Sequence, residues 1–142
     1  MQTHILPIVL CALLAMILGS IWYSPLLFGK AWMRLIKVDP EAMKDPVQRK
    51  KMQQRMFPLY LLQLILSLFQ IWILSFYIQG WAEASGVTNA LWIWAAFVMP
   101  TIATSIMWGN DSRRDSFQKF FIQAGYQLVM FVVFGLILGI WN

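Results

Sequence analysis

The chain has 142 residues, of which 60% are hydrophobic and 12% are charged, and its formal net charge at pH 7 is +5. Soluble domains carry about twice that share of charged residues, so the composition excludes an ordinary soluble globular domain. One cysteine and one histidine exclude a disulfide within the chain and leave no cluster of metal ligands.

Four stretches without charged residues are long enough to cross a bilayer core, which needs roughly 20 apolar residues per helix. They are Met1 to Gly29, Met56 to Ala82, Ala84 to Asn110 and Phe120 to Asn142. We predict an all-α integral membrane protein of one domain, with four transmembrane helices at about 5–24, 57–80, 90–108 and 119–141. The first stretch is expected to be a retained helix and not a cleaved signal peptide, because no Lys or Arg precedes its apolar run.

The basic residues predict an orientation. All 11 Lys and Arg residues lie in two loops, at 25–56 and at or next to 109–118, and none lies on the opposite side of the predicted spans. Because cytoplasmic loops are enriched in Lys and Arg, we predict a bacterial inner (plasma) membrane protein with both termini outside. Topology accounts for the basic residues and no aromatic stacking platform accompanies them, so no nucleic-acid partner is expected.

The segment WYSPLLFGKAW follows the first span. Pro25 lacks an N–H and biases Ser24 away from helical geometry, so the first span is expected to end there. Beyond it, Lys30, Arg34 and Lys37 recur at helical spacing, which predicts a short interfacial amphipathic helix with its basic face towards anionic headgroups. Membrane lipids, anionic at the cytoplasmic face, are therefore the expected partners. The motif and interfacial-helix residues are Trp22, Tyr23, Ser24, Pro25, Phe28, Gly29, Lys30, Trp32 and Arg34.

A second cytoplasmic helix is expected before the second span. Asp39 is a suitable N-cap with Pro40 in the first helical position. Asp45 and Pro46 then restart a helix that runs towards the membrane, with Pro58 tolerated in the first turn of the span. The alternative is a solvated, lipid-facing basic loop.

WYSPLLFGKAW resembles the signature of a family of small prokaryotic membrane proteins, catalogued as domain of unknown function 1761. In that family a W-Y-S-P-L-x-F-G-x-x-W element follows the first helix. The matching residues here are Trp22, Tyr23, Ser24, Pro25, Leu26, Phe28, Gly29 and Trp32. The later part of the chain is similar to that family as well, in Pro100 with Thr101, in FIQAGYQL and in GLILGIW. The resemblance therefore covers nearly the full length. It implies four helices and no particular activity.

Neutral polar residues are concentrated in the cytoplasmic halves of the predicted spans, whereas no Asp, Glu, Lys, Arg or His lies at mid-membrane depth. This absence disfavours proton relays and ion pathways. If the polar faces converge, they form a chamber open to the cytoplasm, walled in part by a kink at Pro100; the alternative is polar contact between helices. The chamber residues would be Gln63, Ser67, Gln70, Pro100, Thr101, Thr104, Ser105, Gln123, Tyr126 and Gln127.

Small residues recur at helical spacing in two spans. Cys11, Ala15 and Gly19 follow one another in the first, and Gly135 and Gly139 form a GxxxG pair in the fourth. Such spacing allows helix backbones to approach closely. The pattern leaves open whether the contacts lie within the chain or build a homo-oligomer.

These patterns favour a lipid-interacting or assembly-type membrane module. The alternative is an oligomeric channel or carrier for a small neutral solute. We expect neither an enzyme, a cofactor nor a metal site, because no nucleophile with a base and no phosphate-binding glycine loop is present. The charged third loop, from Asn110 to Asp115, is interpreted as a solvated, self-paired turn.

Overall fold

The computed structural model describes residues 4–141, which form helices and turns with no strand in that range. The elements are α1 (Ile5–Trp22), α2 (Gly29–Leu35), α3 (Pro46–Gly80), α4 (Gly86–Ile93), a π-helical turn (Trp94–Val98), α5 (Met99–Met107) and α6 (Arg113–Trp141). Because α4, the π turn and α5 form one continuous rod, four helices are long and apolar enough to cross a membrane. The predicted all-α class and the four long apolar helices are confirmed.

The central element is α6, which contacts α1, α2, α3, α4 and α5. Its neighbours cover one side of this helix, while residues such as Leu136 and Ile140 stay exposed. Met130, Phe131, Phe134 and Leu138 of α6 are almost fully buried, and they form the core together with residues of the other long helices such as Ile71. His4 and Trp141 line one pocket of about 540 Å³, so α1 begins and α6 ends at the same end of the bundle.

The third helix, α3, is continuous over 35 residues, or about 52 Å at 1.5 Å per residue. The Asp45 carboxylate caps it by accepting a hydrogen bond from the Val47 N–H at 3.0 Å, and Pro58 lies inside it without ending it. The separate helix expected from Asp39 onwards is wrong, since residues 40–45 form turns. The run before Pro46 is too short for a stable helix, and the proline keeps the preceding residue out of helical geometry.

The third apolar helix contains a π-helical turn before Pro100. The N–H of Met99 donates to the carbonyl of Trp94, five residues earlier, and the Thr101 hydroxyl donates to the carbonyl of Phe97 at 2.5 Å. A proline in an α-helix clashes with the carbonyl four residues before it, and one extra residue in the preceding turn shifts that register. The irregularity predicted at Pro100 is therefore a π bulge.

The closest helix contact joins the start of α4 to the end of α6. A Cβ on Gly135 would lie 2.7 Å from the Gly86 carbonyl oxygen, and a Cβ on Gly86 would lie 2.8 Å from the Gly139 Cα. Only residues without a side chain allow this approach. The GxxxG pair of α6 is thus used within the chain, and its partner Gly86 is not evident from the sequence pattern.

Candidate functional site

Between α1 and α2 the WYSPLLFGKAW segment folds back on the end of α1. The Ser24 hydroxyl donates to the Ile21 carbonyl at 2.7 Å and accepts from the Leu26 N–H at 3.2 Å. The Ser24 carbonyl accepts from the Gly29 N–H at 2.9 Å. Serine favours such a turn because its hydroxyl replaces backbone partners locally, and Pro25 after it prevents α1 from continuing.

Gly29 begins α2 against the backbone of this turn. A Cβ at this position would lie 2.5 Å from the carbonyl oxygen of Tyr23 and 2.5 Å from the carbonyl carbon of Ser24. Neither is a flexible side-chain atom, so the turn closes only with glycine. This contact gives a physical reason for the glycine in the F-G-x-x-W part of the segment.

Trp22 joins the end of α1 to α6. Its indole N–H donates to the Ile122 carbonyl at 3.0 Å, and a Cβ on Gly125 would lie 3.3 Å from the Trp22 ring. The Phe28 ring packs on the other part of the indole, with centroids 4.8 Å apart. A buried indole usually finds such a hydrogen-bond partner, so Trp22 connects helices in addition to its predicted place near the membrane surface.

Tyr23 and Tyr126 complete an aromatic cluster. The ring of Tyr23 lies 5.3 Å from that of Trp32 and 5.6 Å from that of Tyr126. The Tyr126 hydroxyl donates to the Ala15 carbonyl of α1 at 2.7 Å. Tyr126, predicted to line a chamber, therefore lies in the contact between α1 and α6. The aromatic cluster comprises Trp22, Tyr23, Phe28, Trp32 and Tyr126.

An ion pair fastens α2 to α6. An Arg34 guanidinium nitrogen lies 3.5 Å from a carboxylate oxygen of Asp115, and the same group donates to the Gln118 side-chain oxygen. The guanidinium was predicted to face lipid headgroups together with its basic neighbours. In the structure its charge is directed to α6, because a planar donor can engage a carboxylate and an amide at once.

The short third loop is also tied to α6. The Lys119 ammonium lies 2.5 Å from a carboxylate oxygen of Asp111. This hydrogen bond, helped by the charges of Lys119 and Lys37, holds the pKa of Asp111 below its usual value. Asp111 pairs with Lys119 of α6 and Asp115 pairs with Arg34 of α2, so the turn that was predicted to be self-paired has both partners outside Asn110 to Asp115.

A groove of about 670 Å³ lies beside α2 on the side of the turn after it. Its lining residues are Pro25, Lys30, Met33, Arg34, Lys37, Val38, Asp39 and Pro40. The Asp39 carboxylate accepts from the Glu41 N–H at 2.9 Å, and Lys30 forms no ion pair among the described residues. We call this surface the basic groove, since three cationic side chains border apolar ones.

Lys37 closes α2 in an unusual conformation. Its φ is 59°, and it is the one non-glycine residue with a positive φ in the described part of the chain. The Val38 N–H donates to the Met33 carbonyl at 3.0 Å, which is the bond that ends a helix in a Schellman motif, where glycine is usual. A side chain in this conformation costs about 1 to 2 kcal/mol, and here it places a cation at the basic groove.

The predicted chamber residues of α5 lie on the outside of the bundle. Pro100, Thr101, Thr104 and Ser105 are all exposed. The Ser105 hydroxyl donates to the Ile102 carbonyl of its own helix at 2.9 Å. The Thr101 hydroxyl likewise donates to the Phe97 carbonyl, one turn earlier in the same continuous helix. Within one copy of residues 4–141, these hydroxyls do not meet the polar residues of α3 and α6.

The remaining chamber residues are amides and one serine on α3 and α6. The Gln63 amide donates to the Ser67 hydroxyl on the same helix at 3.2 Å. Gln70, Gln123 and Gln127 are half-buried, and their side chains form no hydrogen bond with any residue from 4 to 141. Their role in a solute chamber stays a prediction.

Sequence reasoning missed the residues on α6 that receive the motif. Gly125 accommodates the Trp22 ring, and Asp115 and Gln118 hold Arg34. The signal available was the glycine inside the polar start of α6, which allows close approach. Its partner ring lies too far away in sequence to be recognised.

Comparison with known proteins finds one family match. A family model described as a protein of unknown function (DUF1761) matches residues 6–139. The match includes the folded-back segment and both ends of the α4–α6 contact. No curated protein and no solved structure matches the chain.

Proposed function

We propose that the chain, which belongs to the DUF1761 family of unknown function, is a four-span inner-membrane protein that binds anionic phospholipid in the basic groove. Its long helices expose large apolar side chains: Leu6 is 61% exposed, Phe97 66% and Ile140 79%. Apolar patches of this extent are rare on soluble monomers. A bilayer covers them without a partner protein.

Both termini are proposed to lie outside the cytoplasm. The two basic loops meet at one end of the bundle, where Arg34 reaches Asp115, and the pocket between His4 and Trp141 marks the other end. Cytoplasmic loops are the ones rich in Lys and Arg. By this rule, the basic groove faces the cytoplasm.

The observation that carries the lipid proposal is the basic groove itself. A phospholipid needs cations for its phosphate directly beside apolar surface for its chains. Lys30 and Lys37 supply exposed cations, while Met33 and Val38 supply apolar lining. Each basic residue near an anionic membrane surface contributes about 1 kcal/mol to membrane binding. A preformed groove would in addition hold the lipid headgroup in a defined position.

Arg34 has a different part in this proposal from the two lysines. Its guanidinium is engaged by Asp115 and Gln118, so it positions α2, and through α2 the groove. Lys30 and Lys37 are then the residues that contact the headgroup. Loss of Arg34 is expected to loosen α2, whereas loss of the lysines leaves the fold intact and weakens lipid binding.

Native mass spectrometry of the purified protein in mild detergent tests this assignment. The probes are phosphatidylglycerol and phosphatidylcholine, added in equal amounts. The wild type should retain phosphatidylglycerol selectively, and Lys30→Gln/Lys37→Gln should lose that selectivity. The matched control is Lys50→Gln/Lys51→Gln, which removes the same charge from the start of α3 and should retain it. Equal retention of both lipids by the wild type, or unchanged selectivity in Lys30→Gln/Lys37→Gln, would refute the proposal.

A further inference from the structure

The end of the bundle opposite the basic groove holds a second cavity, of about 540 Å³. The ends of all four long apolar helices meet around it, and its lining includes His4, Ile78, Glu83, Gly139 and Trp141. A volume of this order is typical of pockets for small molecules. We call this cavity the acidic pocket. It lies apart from the basic groove, so the lipid proposed above does not account for it.

Glu83 gives the acidic pocket its charge. Its carboxylate forms no ion pair or hydrogen bond within the described part of the chain. No Lys or Arg lies between Arg55 and Arg113, before Lys30 or after Lys119, so this end of the bundle has no basic side chain to neutralise it. A cleft with one sign of charge and protein walls concentrates ions of the opposite sign. The charge of the pocket therefore favours a cation.

Two helix ends add hydrogen-bond acceptors. The last four carbonyls of an α-helix have no partner inside the helix. Ile78 of α3 and Gly139 of α6 each belong to such a last turn, and both line the acidic pocket. The two helices that begin here offer fewer donors in return. The Ser85 hydroxyl already accepts from the Thr88 N–H at 3.1 Å, and Pro7 has no N–H in the first turn of α1. The pocket therefore favours a ligand that donates hydrogen bonds.

A buried amide holds the loop that carries Glu83. Asn89 is 3% exposed, and its side-chain nitrogen donates to the Trp81 carbonyl at 3.0 Å and to the Ala84 carbonyl at 3.4 Å. These two carbonyls lie on either side of Glu83 in the sequence. The loop is thus ordered by the protein itself, which lowers the entropic cost of binding a ligand.

We propose that the acidic pocket binds a primary ammonium group, with Glu83 as its counter-ion. An ammonium group carries three donors and no acceptor, which matches a carboxylate and two helix-end carbonyls. The indole of Trp141 adds an aromatic surface for the cation. A metal ion fits this pocket less well, because the described residues contain no group of three His, Cys, Asp or Glu side chains. A free amine and the headgroup of phosphatidylethanolamine both supply the required chemistry.

The first measurement is ligand-detected NMR of n-butylamine, which is protonated at pH 7 as a lysine side chain is, with the protein in phosphatidylcholine nanodiscs. n-Butanol is the neutral analogue of similar size, and empty nanodiscs report partitioning into lipid. The wild type should bind butylammonium and not butanol. Glu83→Gln should weaken this binding at least about tenfold, as expected for a lost charge-assisted hydrogen bond.

The matched control is Glu41→Gln, which removes an exposed carboxylate from the loop before α3 and should bind butylammonium like the wild type. Lys30→Gln/Lys37→Gln should do so as well, because the basic groove lies at the other end of the bundle. Equal binding by the wild type and Glu83→Gln, or no binding above that of empty nanodiscs, would overturn the proposal whatever lipid the basic groove binds.

Native mass spectrometry with equal amounts of phosphatidylethanolamine and phosphatidylcholine then distinguishes the two sources of the ammonium group. Selective retention of phosphatidylethanolamine that is lost in Glu83→Gln identifies the lipid headgroup as the ligand. Binding of butylammonium without that selectivity identifies a free amine. Either result keeps Glu83 as the counter-ion.

Discussion

The Tyr126 hydroxyl donates a hydrogen bond to the Ala15 carbonyl oxygen at 2.7 Å, across 111 positions of sequence. The same Tyr126 hydroxyl lies directly over Gly19, and a Cβ on Gly19 would be 2.9 Å from it. The small-residue series of α1 therefore accommodates a tyrosine of α6. Together with the Trp22 indole, this contact holds the end of α1 where the chain turns into the basic groove.

Replacement of Gly19 by alanine is expected to destabilise the protein by about 1 to 3 kcal/mol, the usual cost of overpacking. Tyr126→Phe removes the hydroxyl that the new methyl group would meet. The double variant should then be less destabilised than the sum of the single variants, because the two residues are in contact. Thermal unfolding of the four proteins in one detergent measures this coupling, and strictly additive effects would contradict the contact.

Gly29→Ala is expected to cost at least about 3 kcal/mol, the upper end for overpacking. The atoms in the way belong to the backbone of Tyr23 and Ser24, 2.5 Å from the hypothetical Cβ, and they cannot rotate aside. Gly80→Ala is the matched control, since nothing lies within 4 Å of a Cβ at that position. Similar melting temperatures for the two variants would show that the turn tolerates a side chain.

The ion pair between Lys119 and Asp111 predicts a defined acid response. The hydrogen bond from Lys119 lowers the pKa of Asp111, so the pair stabilises the fold above the unfolded-state pKa, about 3.9. That stability is lost as the pH falls through the lower folded-state value. Melting temperatures of the wild type and Asp111→Asn should therefore differ by a constant amount between about pH 5 and 7, begin to converge below about pH 4, and meet below the folded-state pKa of Asp111. A constant difference down to about pH 2 would refute the assignment.

Part of the basic groove was predictable from sequence and part was not. Helical spacing placed Lys30, Arg34 and Lys37 together, and all three line the groove. The pairing of Arg34 with Gln118 spans 84 positions, and spacing within one helix says nothing about a partner on another. The different roles that we propose for the two lysines and for Arg34 therefore depend on contacts that only the tertiary structure shows.

The predicted chamber shows the same limit more strongly. Periodicity predicts that polar residues share one face of each helix, yet it leaves the rotation of each helix in the bundle undetermined. The structure turns Thr101 and Thr104 outward and brings Tyr126 against Ala15. An irregularity at Pro100 was predictable from the proline, but its form as a π turn over Trp94–Val98 was not.

By itself, the sequence determined that the protein has four long apolar helices, a turn at Ser24 and Pro25, a cap at Asp45, and basic residues confined to two loops. These properties follow from hydropathy, charge and backbone chemistry, which act over a few neighbouring residues. Only the tertiary structure decided that Gly135 meets Gly86, that Arg34 binds α6, and that residues 53–63 of α3 are exposed on every side. Those contacts depend on distances and rotations between helices, to which residues far apart in the chain contribute together.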